Sequence, residues 1–173
     1  ASALNTLAKR IPAYTDDIKK GEIIVHLIWF RGSASQVPDC ETISLNSNQA
    51  VDAFSNCLTR VAQLYQAGPS EWKKQVPGSS GTNYTAAFDK AITLLAEGTT
   101  SRPAIIFFTD GEHTGEGSAA PAGRRWLDDI IANTQDLLPQ RAVLPVGLGV
   151  AGDALNDLFE LRDLTNLTNC PAN

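Results

Sequence analysis

Pro103-Ala-Ile-Ile-Phe-Phe-Thr-Asp-Gly-Glu-His-Thr-Gly115 is an apolar run that stops abruptly at Thr109-Asp110-Gly111 and then turns polar. Ile105, Ile106, Phe107 and Phe108 do not alternate with polar residues. That pattern predicts a strand covered on both faces, as in a parallel sheet with helices on either side. Open parallel sheets bind ligands beyond the carboxyl ends of their strands, so Asp110 stands where a ligand or ion is held. Gly111 lets the backbone turn at once and approach whatever Asp110 holds.

Working outward, Leu4, Leu7, Ala8, Ile11, Tyr14 and Ile18 recur at helical spacing, with Pro12 predicting a kink or a split into two helices. Residues 22–30 (EIIVHLIWF) read as a second buried strand, in which His26 is a packed or hydrogen-bonded core residue. Glu41–Leu45 alternates and reads as a short edge strand paired antiparallel to it. Ser47 or Asn48 caps a helix with Val51, Phe54, Leu58 and Val61 inward. After a polar loop at 67–80, Gly81-Thr82-Asn83 leads into a helix carrying Phe88, Ala91, Ile92 and Leu95 on its apolar side. A helix at 124–138, a strand at 141–148 with Pro145 near an edge, and a last helix from Asp153 complete the order. This is an α/β sequence: a doubly wound, mostly parallel, Rossmann-like sheet with one short antiparallel edge strand and helices on both faces.

Composition limits the functions open to such a chain. With 173 residues, 43% of them hydrophobic, one core and a single domain over 1–173 are expected. A net charge of −5, with 14 scattered Lys and Arg, supplies no basic stripe for nucleic acid. No apolar run reaches the roughly 20 residues of a membrane span. Three cysteines leave at least one outside any internal bridge. A Cys40–Cys57 bridge is possible in an exported protein; Cys57 as an inert, half-buried thiol is the other reading. The sequons at Asn83 and Asn166 matter only in a glycosylating route.

Thr82 and Asp110, at the same end of the expected sheet, are hard oxygen donors suited to Mg²⁺ or Mn²⁺. Gly81-Thr-Asn-Tyr-Thr-Ala-Ala87 ahead of a helix, followed by an apolar strand ending in Thr109-Asp-Gly-Glu112, resembles the von Willebrand factor type A domain, the fold of integrin inserted domains. The resemblance spans residues 1–164. It implies a metal-ion-dependent adhesion site with Thr82 and Asp110 as metal ligands, Asp110 acting through a water, and Asn83, Glu112 and His113 on the partner-binding rim. The implied function is binding, not catalysis: an adhesion or scaffolding domain that engages a protein partner's carboxylate through the ion, in an extracytoplasmic or secreted rather than a cytoplasmic setting.

The family's D-x-S-x-S loop and the central strand before it are not found, and both are expected upstream of Ala1. Arg31-Gly-Ser33-Ala-Ser35 has the serine spacing, but it carries Arg in place of Asp and follows the wrong strand, so it is set aside as a substitute. An enzymatic alternative makes Asp110 the nucleophile of a Mg-dependent phosphatase, although Asp110-Gly-Glu112 lacks the D-x-D pattern of such enzymes. A Ser/His/Asp hydrolase has no G-x-S-x-G elbow to build on. His113 reads as a solvated loop residue rather than a base.

Overall fold

The structure, a computed structural model, describes residues 2–18, 23–76, 78, 80–97, 104–109, 111–114, 142–147 and 152–164. The chain divides into two compact units: Ala1–Trp29 with Ser35–Pro77, and Phe30–Ala34 with Gly78–Asn173.

The first unit begins with α1 (Ser2–Arg10), a 3-10 turn (Ile11–Tyr14) and α2 (Thr15–Ile18). Pro12 falls in the first residues of that turn, where its missing N–H costs no helical bond. The predicted split therefore occurs where the sequence places it. Two short strands follow, β1 (Ile24–Val25) and β2 (Ile28–Phe30), and then β3 (Ala34–Gln36) and β4 (Ile43–Ser44). β1 pairs antiparallel with β4, and β2 forms a ladder with β3. The long helix α3 (Asn48–Gln66) is capped by Ser47, whose Oγ accepts from the Ala50 N–H at 3.2 Å. Its inward face (Val51, Phe54, Leu58) packs with Ala8 and Leu45, and Cys57 and Val61 pack with Trp29, Val37, Cys40 and Val76. The short α4 (Pro69–Gln75) lies within the stretch read as loop. Cys40 and Cys57 are joined by a disulfide, which decides between the two readings of Cys57.

The second unit contains α5 (Tyr84–Glu97), β5 (Ala104–Thr109), β6 (Ala142–Gly147) and α6 (Asp153–Leu164). β5 and β6 pair in parallel over six residues, from Ala104 opposite Ala142 to Thr109 opposite Gly147. The core here is aromatic. Phe107 stacks on Phe30 at 5.2 Å and on Phe88 at 5.3 Å, and Tyr84 meets it edge-on at 4.7 Å. Leu158 of α6 closes the cluster.

Among the described residues the doubly wound parallel sheet is not formed. The described strands make three separate two-stranded ladders, and no ladder joins residues 22–30 to β5. The reason lies in the 22–30 stretch, which is not one strand but two, interrupted at His26-Leu27. Its backbone groups find partners close in sequence: Leu45 N–H donates to Ile23 O and Val37 N–H donates to Leu27 O, each at 2.8 Å. Closing such short loops costs little chain entropy, whereas a central parallel strand needs long crossovers. His26 at the interruption lies 3.1 Å from Thr42 Oγ1 through Nδ1, a hydrogen-bonded residue as expected. Full cover on both faces of β5 also fails, because Ile106 is 55% exposed while Phe107 is buried. The helix expected at 124–138 lies outside the described residues.

Two measurements follow from this packing. Phe88 is 1% exposed and stacked, so Phe88→Ala is expected to cost about 3–5 kcal/mol in urea unfolding, against well under 1 kcal/mol for the exposed Ile106→Ala. The disulfide closes a loop of 17 residues' separation, so Cys40→Ser/Cys57→Ser is expected to lose about 3 kcal/mol by chain entropy. Alkylation without reductant is expected to add no more than one adduct to the intact mass.

Candidate functional site

The site grows from the N-terminus of α5. Asn83 is its cap: Oδ1 accepts from the Ala86 N–H at 3.1 Å, and its C=O accepts from the Ala87 N–H at 3.4 Å. The same side chain donates from Nδ2 to Gly32 O at 3.2 Å, while its backbone N–H donates to Arg31 O at 2.7 Å. Both ends of the amide are committed to holding the helix start against loop 31–33. Gly78 completes this contact. At φ +94° it takes a backbone conformation that other residues avoid, and a Cβ there would stand 2.5 Å from Ser33 N.

The other side is the loop after β5. Thr82 and Thr114 exchange two bonds, Thr82 N–H to Thr114 Oγ1 at 2.7 Å and Thr114 N–H to Thr82 O at 2.9 Å. Tyr84 donates its hydroxyl to Gly111 O at 2.7 Å, and the Gly111 N–H donates to Thr109 Oγ1 at 3.2 Å. A Cβ on Gly111 would stand 3.1 Å from Thr82 Oγ1, so glycine is what allows this approach. The Thr82 hydroxyl has no partner among the described residues.

His113 is not solvated. It is 8% exposed, with its ring centroid 5.1 Å from that of Tyr84, and its Nδ1 accepts from the Tyr84 N–H at 3.1 Å. The His113 N–H in turn donates to Asp157 Oδ2 at 2.8 Å, tying the loop to α6. Nε2 of His113 is buried without a hydrogen-bond partner.

Of the residues expected at the site, Thr82, Asn83, Glu112 and His113 therefore lie on two loops that touch. Glu112 is exposed, Asn83 is used as a cap and His113 is enclosed. Asp110 lies outside the described residues. The sequence reading missed Thr114, Tyr84 and Asp157. It also set aside loop 31–33, which the fold brings against Asn83 despite its place in the sequence. Only the serine spacing after Arg31 hinted at it. Among the described residues no group of three or more His, Cys, Asp or Glu is placed to hold a metal, and no helix is long and apolar enough to cross a membrane. Comparison of the chain with family models, with curated proteins and with solved structures finds no match.

The cap and the glycine are separable by substitution. Asn83→Ala is expected to cost about 1 kcal/mol or somewhat more, while Asn83→Asp, which keeps the acceptor for Ala86 N–H, is expected to recover most of it. Gly78→Ala, strained and in contact with backbone, is expected to cost about 1–3 kcal/mol. Thermal unfolding of the three variants checks the order.

Proposed function

We propose that this chain is a protein-binding module, adhesive or scaffolding in role, that engages a carboxylate of its partner at the loops around Thr82 and Gly111 with the help of a divalent ion. The observation that supports this most directly is the unpartnered Thr82 hydroxyl held 3.1 Å from the Cβ position of Gly111, the residue that follows Asp110. A hard oxygen on one loop is thereby brought to the residue next to a carboxylate on the other.

The donor set suits Mg²⁺ better than a metal with several protein ligands. Magnesium keeps several of its waters and is commonly bound through one or two carboxylates, so Thr82 and Asp110 would hold it, with water and the partner's carboxylate completing the shell. When bound, the ion would supply a hard positive charge for that carboxylate. The chain's own part is to fix the two loops: the Thr82–Thr114 bond pair and the Tyr84–Gly111 bond set their spacing, and Glu112 stands exposed at the rim. An extracytoplasmic or secreted location belongs to the same proposal, supported by the Cys40–Cys57 disulfide, since such bridges persist in oxidising compartments.

Calorimetric titration with Mg²⁺ tests the reading. Thr82→Ala and Asp110→Ala are each expected to weaken binding by roughly tenfold or more without lowering the melting temperature, and Thr82→Ser to retain it, on the scale of a lost bond to a charged group. Unchanged affinity in both alanine variants removes these residues from the site. Sustained turnover of an aryl phosphate with Mg²⁺ would replace binding with catalysis as the function.

A further inference from the structure

Arg60 reaches from α3 to the loop before β4 and sets its guanidinium against the Cys40–Cys57 bridge. Nη2 approaches Cys40 Sγ at 3.2 Å and also donates to Pro38 O, while Nη1 donates to Asp39 Oδ2 at 3.1 Å. The two sulfurs of the bridge therefore have unlike surroundings. Cys40 Sγ faces a permanent positive charge. Cys57 Sγ faces the Asp39 carbonyl oxygen at 3.7 Å, an acceptor that favours a thiol S–H and opposes a thiolate. The Asp39 carboxylate offsets little of the guanidinium charge, because that side chain is 85% exposed and its attraction is screened by water.

In the intact bridge neither sulfur is charged, so the cation does little for it. Once the S–S bond opens, the asymmetry acts: a thiolate beside an Arg is stabilised, and a thiol so stabilised is the better leaving group. Access points the same way. Cys57 is 9% exposed and Cys40 1%, so an incoming thiolate meets Cys57 first.

We infer that the Cys40–Cys57 bridge is a redox switch of the first unit, opened by a dithiol reductant with Cys40 as the leaving sulfur and Arg60 as the group that receives its charge. One thiolate of the reductant attacks Cys57 Sγ. The new S–S bond forms as the Cys40–Cys57 bond breaks, and the bond pair leaves on Cys40 Sγ beside Arg60 Nη2. The second thiolate of the reductant then attacks its own sulfur in the mixed disulfide and expels Cys57, which takes up a proton. Two electrons pass from the dithiol to the bridge, the reductant ends as a cyclic disulfide, and the second of its two protons goes to solvent. With the link open, α3 still rests on the apolar cluster of Trp29, Val37, Val61 and Val76, and Arg60 keeps hold of the loop. The reduced unit is folded but looser at the Val37 N–H to Leu27 O bond that flanks the β2–β3 ladder. Nothing in this inference depends on the loops around Thr82.

The test uses the full chain carrying Cys170→Ser, so that the bridge holds both remaining cysteines. Reduction by dithiothreitol is followed by quenched alkylation and intact mass, and the equilibrium is measured against oxidised dithiothreitol. Arg60→Gln is expected to slow reduction by roughly threefold or more and to shift the equilibrium roughly tenfold toward the bridge, about 30 mV in potential, with Arg60→Lys in between. A residue that merely buttresses the loop gives the opposite sign, since its loss loosens the loop, exposes the sulfurs and speeds reduction. Glutathione, a monothiol that cannot complete the second step, is expected to be trapped on Cys57 with Cys40 left free to alkylate, as read by peptide mapping. Amide exchange at Val37 is expected to rise on reduction while the far-UV circular dichroism is kept. Faster or unchanged reduction in Arg60→Gln, or glutathione on Cys40, overturns the inference. So does a native chain whose bridge resists dithiothreitol, and loss of the fold on reduction leaves the bridge a structural staple and no switch. The glutathione trap needs no change at Arg60, so it decides the matter even if Arg60→Gln fails to fold.

Discussion

Tyr84 joins the aromatic core to the loops that carry the chemistry. Its ring is fully buried, edge-on to Phe107 and Phe30, so packing holds the first residue of α5 in place. From that fixed point its hydroxyl sets Gly111 O, and its N–H sets the tautomer of His113. Buried aromatic surface is worth several kcal/mol per residue and a single hydrogen bond about one. The core therefore decides where the loops stand, and the hydrogen bonds decide how they are turned. Core and loop geometry are coupled through one side chain, so a core substitution that shifts Tyr84 also disturbs the loops.

The first unit is organised by a different constraint. Its strands are two or three residues long, too short to be stable as isolated ladders. They are held by α3, which covers them with one apolar face, and by the disulfide from the loop before β4 to the middle of that helix. Arg60, in the last third of α3, ties the same loop again through Asp39 Oδ2 at 3.1 Å. That ion pair is exposed and contributes little by itself. The bridge and the buried face of α3 carry the unit.

Element types were legible in the sequence where periodicity was long. The apolar stripe of α3, the Ser47 cap, the break at Pro12, the helix after Asn83 and the strand ending at Thr109 all stand where their residues place them. Strand pairing was legible only in part: the antiparallel pairing of 41–45 with 22–30 is formed by β1 and β4, but the order of a larger sheet was not readable. Residues 22–30 are apolar enough for a central parallel strand, and nothing in their composition shows that His26 will bond to Thr42 and divide them between two local ladders. Apolar runs report burial, and burial is compatible with several pairings. At the site, Gly-Thr-Asn before a helix was readable as a cap because capping is local chemistry. The burial of His113, its bond to Tyr84 and the approach of Asp157 were not, because they depend on contacts 29 and 44 residues apart. The contact of Asn83 with Gly32 O was not legible for the same reason, the two lying 51 residues apart.

Arg31 changes the electrostatic character of these loops. A divalent ion and a guanidinium both attract carboxylates, but they do so differently: the ion is a strongly hydrated centre that must lose water to bind, whereas the guanidinium is weakly hydrated, permanently charged and planar, and can receive both oxygens of a carboxylate side by side. The two also repel each other. The Arg31 backbone is bonded to the residue after Thr82, so the side chain belongs to the loop adjoining the proposed ion ligands, where a fixed positive charge lowers affinity for a further cation and raises it for an anion.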